Sequence, residues 1–278
     1  MKKKISFGFV GVLFLFILVS CSTERKLAIA FLKQKNQKGA VLVVQPFELN
    51  MANNNVYRLD SVQLPEGISL DSLLFQQTKV LKKVSDSVFL EKYVNTFIKS
   101  LRSLGYQVYL PNQLDAFRNR KLPGYILKFA QVDLGEEIYP YIINDEDLGE
   151  DYSKTFYLNL LSINSWFEFE AQDTIWNKVL YAEDAVTDEL NGEFVLDRKT
   201  NKPVLYYTLD SLKVSDAYFL AEESAKKYAS YFNDFLMNAY IKKHFPPNVQ
   251  PTRFFHYKAD QKMLFPLEDG FEEIIKSK

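Results

Sequence analysis

The chain has 278 residues with 34 Lys and Arg against 35 Asp and Glu, a formal charge of −1 that falls to −4 once Lys2, Lys3 and Lys4 are set aside. Neither balance supplies the basic stripe that a nucleic-acid binder uses to neutralise phosphates, so no nucleic acid is expected as a partner. The roughly 258 residues after position 20 are enough to bury a sizeable core in one large or two small domains without staples.

After the three lysines an apolar run extends from Ile5 to Val19, broken only by Ser6, Gly8 and Gly11. At about 15 residues it is shorter than the roughly 20 that cross a bilayer as a helix, which is the layout of a cleaved export signal. The segment Leu18-Val19-Ser20-Cys21 resembles a bacterial lipobox. The resemblance implies cleavage before Cys21, a diacylglyceryl group on its sulfur and acylation of the new amino terminus. One acyl chain holds a protein only reversibly, whereas two or more hold it firmly. Cys21 is the only cysteine in the chain, so capping it leaves no disulfide for the mature protein. Export nevertheless puts it where disulfides form. Ser22, in place of Asp, resembles the pattern that sends such lipoproteins on to the outer membrane.

Residues 21–39 read as a lipidated tether, with one or two helical turns in KLAIAFLKQK. Next, AVLVVQPF has the continuous apolar, β-branched character of a strand buried on both faces, and Glu48 to Glu66 reads as a long loop. From Ser87 to Leu104, apolar residues at Leu90, Tyr93, Val94, Phe97, Leu101 and Leu104 make one face of a helix, with Gly105 at the stop position. YQVYLP is a short strand, NQLDAF a short helix and GYILKFAQVDL another strand. Such alternation predicts helices packed on a sheet. The acidic stretch EEIYPYIINDEDLGEDY reads as a solvated loop without calcium-ligand spacing. Two alternating runs follow, one with Phe167 and Phe169 and the next with Ile175, Val179 and Tyr181, joined at Gln172-Asp173-Thr174 as a hairpin. LNGEFVLDRKTNKP is a polar spacer. A long helix runs from Ser215 to His244 and stops at Pro246-Pro247, and residues 246–278 form an extended strap.

Catalytic groups are scarce. His244 and His256 are the only histidines and lie in no metal-binding spacing. The carboxyl end of a helix accounts for His244. No G-x-S-x-G elbow or glycine-rich phosphate loop occurs. Glu168 and Glu170 alternate with Phe167 and Phe169, which makes them the wet face of a strand before a glycosidase pair. The chain is therefore expected to be no enzyme, to use no cofactor or metal and to have no catalytic residue; its one expected site is lipidation at Cys21.

The stretches AVLVVQPF, FIKSLRSLGYQVYLP and GYILKFAQVDLG, between a lipobox and a long late helix, resemble envelope lipoproteins with an anticodon-binding-domain-like sandwich. That group includes penicillin-binding-protein activators, the curli secretion channel and auxiliary lipoproteins of transporters. The resemblance implies an α/β (α+β) fold, a mixed sheet with helices packed on it, over residues 40–245, after a signal peptide over 1–20. It also implies a membrane-tethered lipoprotein whose partners are the membrane, through its lipid anchor, and another envelope protein. Two alternatives are an oligomeric outer-membrane export channel and an envelope glycan or lipid hydrolase.

Overall fold

The computed structural model describes residues 22–34, 37–54, 70–144, 152–172 and 176–274. The expected export signal and Cys21 lie outside the described residues, as do Asp173, Thr174 and Ile175 of the expected hairpin.

A seven-stranded mixed sheet forms the frame. Its parallel part comprises β1 (Ala40–Val44), β2 (Asn50–Asn53), β3 (Gln107–Tyr109) and β4 (Gly124–Asn144). β5 (Ser153–Ala171), β6 (Trp176–Thr187) and the last strand of the chain, β11 (Glu272–Ile274), continue it antiparallel. The path is β11-β6-β5-β4-β1-β3, and β1 and β2 share one edge of β4 in succession. β1 is buried as its apolar run requires, because β3 and β4 cover both edges and helices cover both faces.

Three helices pack on one face: α1 (Thr23–Leu32), α3 (Asp86–Ser103) and the 31-residue α5 (Val214–His244). α2 (Leu70–Gln77) lies against β2. α4 (Leu114–Arg118) covers the start of the opposite face, where Phe117 packs on Ala40 and Leu42. α3 presents Phe89, Tyr93, Phe97 and Leu101 to the sheet, and Gly105 follows at φ 97°, the left-handed value that ends such a helix without strain. Between the layers aromatic rings interlock: Phe97 meets Phe129 edge-on at 5.1 Å, and Phe167 lies 4.9 Å from Phe129. The Tyr93 hydroxyl satisfies itself on Ser165 Oγ at 2.8 Å. Many of the aromatic side chains among the described residues belong to this core.

Buried carboxylates set two corners. Glu136 on β4 accepts backbone N–H groups from Lys79, Val80 and Leu81 at 2.6–3.0 Å, which fixes the 3-10 turn that leads into α3. Asp188, between β6 and β7 (Glu189–Asp197), accepts the Asn159 backbone N–H and side-chain amide and, on its other oxygen, the Leu212 N–H. The end of β6, the edge of β5 and the approach to α5 therefore meet at one residue.

Several segments differ from the sequence reading. The one or two helical turns expected in KLAIAFLKQK are a ten-residue helix over 23–32, with Ala28 and Phe31 buried against α5. Asn50–Asn53 is a strand within the expected loop. Glu136–Asn144, read as solvated loop, continues β4, and the polar spacer is the hairpin of β7 and β8 (Lys202–Asp210). The strap forms a hairpin, β9 (Phe255–Lys258) and β10 (Met263–Pro266), on α5, and its end joins the sheet as β11.

Candidate interaction surface

β4 and β5 outrun their neighbours. β2 pairs with β4 only as far as Glu136, and β6 pairs with β5 only from Leu160. Ile138–Asn144 and Ser153–Asn159 thus form a two-stranded arm. β7 and β8 form a second, nine-residue ribbon closed by a turn in which Asp197 accepts from Lys199 N–H and Thr200 Oγ1. Among the described residues these ribbons pair with no further strand. Pro140 lies beyond Glu136, the last residue of β4 that pairs with β2.

Alternation gives each ribbon an apolar face. On the arm, Tyr139, Tyr141 and Ile143 stand opposite Leu158, Phe156 and Lys154. On the second ribbon, Leu190, Phe194 and Leu196 stand opposite Leu209, Leu205 and Pro203, while the reverse face mixes Glu189, Asn191, Glu193 and Asp197 with Val195, Val204 and Tyr206. The two meet where the Phe156 and Tyr207 rings lie 4.8 Å apart with the Lys154 ammonium over both. Gly192 makes this approach possible, since a Cβ there would sit 3.1 Å from Ile143 Cδ1. The contact leaves the reverse faces exposed: Tyr157 is 69%, Tyr206 61% and Ile142 56% exposed. More than half of the large apolar side chains exposed among the described residues lie on or beside these ribbons. Soluble monomers rarely gather such groups in one place without a partner for them.

The titratable groups lie elsewhere. A groove of about 1150 Å³ runs between α3, α5 and the β9–β10 hairpin, and His256 faces it beside Lys99, Lys226 and Lys258. His256 Nδ1 bonds the buried carboxylate of Asp234, which also accepts the Tyr257 N–H at 3.0 Å. That bond holds the imidazole above its ordinary value, while burial pushes the Asp234 carboxyl up. A histidine oriented by an acid is half of a hydrolytic triad; of the three serines that line the groove, Ser230 gives its hydroxyl to the Tyr257 carbonyl and Ser103 to that of Ser100, and no hydrogen bond joins Ser100 to His256 among the described residues. One helical turn along α5, Asn238 bonds both N–H and C=O of Phe255 at 3.0 Å. Ser230, Asp234 and Asn238, spaced by four, thus act as a row of side-chain partners that dock β9 on α5.

Behind Asp234, the Lys38 ammonium donates to Asn233 Oδ1 at 2.9 Å between the rings of Phe31 and Tyr106. Burial lowers it to about 8, against the pull of the Asp234 charge. His244 bonds the Tyr240 carbonyl through Nδ1 at 2.9 Å, at the carboxyl end of α5. Glu168 pairs with Lys128 at 3.0 Å on the solvated face of the sheet, and Glu170 is exposed on that face. The sequence reading missed the ribbons and the Asp234–His256 pair. The alternation in EFVLD and PVLYYTLD around a turn-forming RKTN was the available signal for the second ribbon.

Among the described residues no three His, Cys, Asp or Glu cluster as metal ligands, and no helix is long and apolar enough to cross a membrane. Compared with known proteins, the chain matches no family model, and no curated sequence aligns with it significantly.

Proposed function

We propose that this protein is an envelope lipoprotein, tethered through acylated Cys21, that works without catalysis by holding another envelope protein on its two β-ribbons. The observation that carries the reading is the concentration of exposed aromatic and aliphatic side chains on strands that, among the described residues, pair with no further strand on their outer edges. Open edges accept an added strand through main-chain hydrogen bonds, and alternate side chains then give specificity. The lipid raises local concentration at the membrane, so a modest contact suffices. Beads carrying the mature domain are expected to retrieve one defined envelope protein after crosslinking, and a form with residues 190–209 replaced by a short turn is expected to lose it. Repeated recovery of no defined protein by the intact domain refutes the reading.

An export channel is the second reading, favoured by one observation. β7 and β8 have nine residues each, with one apolar and one mixed face, close to the roughly 9–11 residues of a strand in a transmembrane barrel. Open edges are forbidden in lipid, so this reading requires several copies to close a barrel. Native mass measurement and single-channel conductance test it. A monomer without conductance rejects it.

A further inference from the structure

We propose that the face formed by α1 and the β9–β10 turn lies flat on an anionic lipid surface, so that the ribbons stand away from the membrane at the far end of the domain. The inference rests on the reading that Cys21 is acylated. No slack separates position 21 from the packed body. Ser22 is already the amino-terminal cap of α1, its Oγ accepting the Arg25 N–H at 3.2 Å. Within the first turn, Glu24 is buried and accepts the Thr252 N–H at 3.3 Å, and Phe31 closes the helix onto Tyr240. Adjacent Cα atoms are about 3.8 Å apart. An acyl chain on Cys21 therefore holds α1 itself at the headgroups, where a flexible leash would leave the body free to turn.

The surface beside that point suits a bilayer. A shallow groove of about 390 Å³ between α1 and the strap hairpin is floored by Leu32 and Leu264. Ile29, 38% exposed, and Met263, 51% exposed, project beside it. Arg25, Lys33 and Lys262 ring it. This is a basic patch on a mature chain whose formal charge is −4, with apolar side chains at its centre, the arrangement that binds acidic headgroups and the apolar layer just below them.

The ribbons lie at the other end. α5 starts beside Asp188 at the ribbon base and descends past Ile163 and Phe169 to Tyr240, which packs on Phe31 of α1. Its 31 residues at 1.5 Å each separate the two ends by about 45 Å. A domain seated on α1 thus presents its ribbons to a partner beyond the membrane surface and keeps them out of the bilayer that anchors it.

The test is amide hydrogen exchange on the acylated protein in vesicles of phosphatidylcholine with or without phosphatidylglycerol, together with flotation of mature protein carrying Cys21→Ser on the same vesicles. The expected result is exchange slowed severalfold in α1 and residues 258–264, only with phosphatidylglycerol, and unchanged in the ribbons. The Cys21→Ser form is expected to float weakly with phosphatidylglycerol vesicles, to be released by about 0.5 M salt, and to lose at least tenfold in partitioning on Arg25→Glu with Lys262→Glu but not on Lys202→Glu. Slowing in the ribbons, or flotation indifferent to both the lipid charge and the Arg25 and Lys262 reversals, overturns the proposal. A native mass lacking acyl groups overturns the anchor reading instead, and the flotation arm still decides whether the surface binds lipid.

Discussion

The ring of Phe31 on α1 rests 5.6 Å from that of Tyr240 on α5, which joins the first helix of the described chain to the last turns of its longest one. Phe31 is buried, and removing a buried phenylalanine leaves a cavity as well as losing transfer energy. Phe31→Ala is expected to lower stability by about 3 kcal/mol in urea titration. It is also expected to accelerate exchange throughout α1. Loss of stability without faster exchange in α1 would mean that this helix is held by other contacts.

The strap answers to pH through His256. Its imidazole is held above the ordinary value by the Asp234 bond first, with Asp269 adding and burial and Lys258 opposing. The sign follows directly. The protonated imidazolium is the bound form, so its contribution is complete below about pH 6.5 and fades as pH rises through the raised folded-state value. Thermal unfolding across pH 6 to 9 is expected to show this decline, and His256→Gln is expected to flatten it. An equally steep decline in the variant would assign the effect to another group.

Asn238 supports the same strap by a contact that does not titrate. Asn238→Ala strands both the N–H and the C=O of Phe255 and is expected to cost about 2 kcal/mol. Proteolysis is expected to begin within 245–266. A stable variant with the same cleavage pattern as the wild type would show that β9 is docked by apolar contact alone.

Lys38 acts in the opposite sense at higher pH. Its folded-state value near 8 lies below the ordinary lysine value, so between about 8 and 10.5 the unfolded chain binds more protons and stability rises with pH. Lys38→Met removes that rise. Chemical denaturation at pH 7.5 and pH 10 checks it, and parallel behaviour of the two proteins would contradict the burial of that charge.

The elements legible in the sequence are those whose burial is enforced. β1 has both faces covered, and α3 and α5 each turn one stripe to the sheet, so their apolar periods are clean. The ribbons were illegible because, among the described residues, most of their side chains stay partly or fully exposed. With both faces wet, Glu137 and Pro140 sit in one strand and Glu193 and Asp197 in another, and the composition reads as loop. The Asp234–His256 pair was hidden for another reason: the residues are 22 apart and meet only because Pro246 and Pro247 end the helix and the strap folds back along it. Lipidation at Cys21 is an expectation from sequence alone, and that residue lies outside the described residues.

Photo-crosslinking in living cells, with a reactive amino acid placed at Ile29 on α1 or at Tyr206 on the second ribbon, tests the central claim most directly. The account predicts lipid adducts from position 29 and a single discrete protein adduct from position 206. Lipid adducts from position 206, or no discrete protein adduct there at native expression, would contradict it.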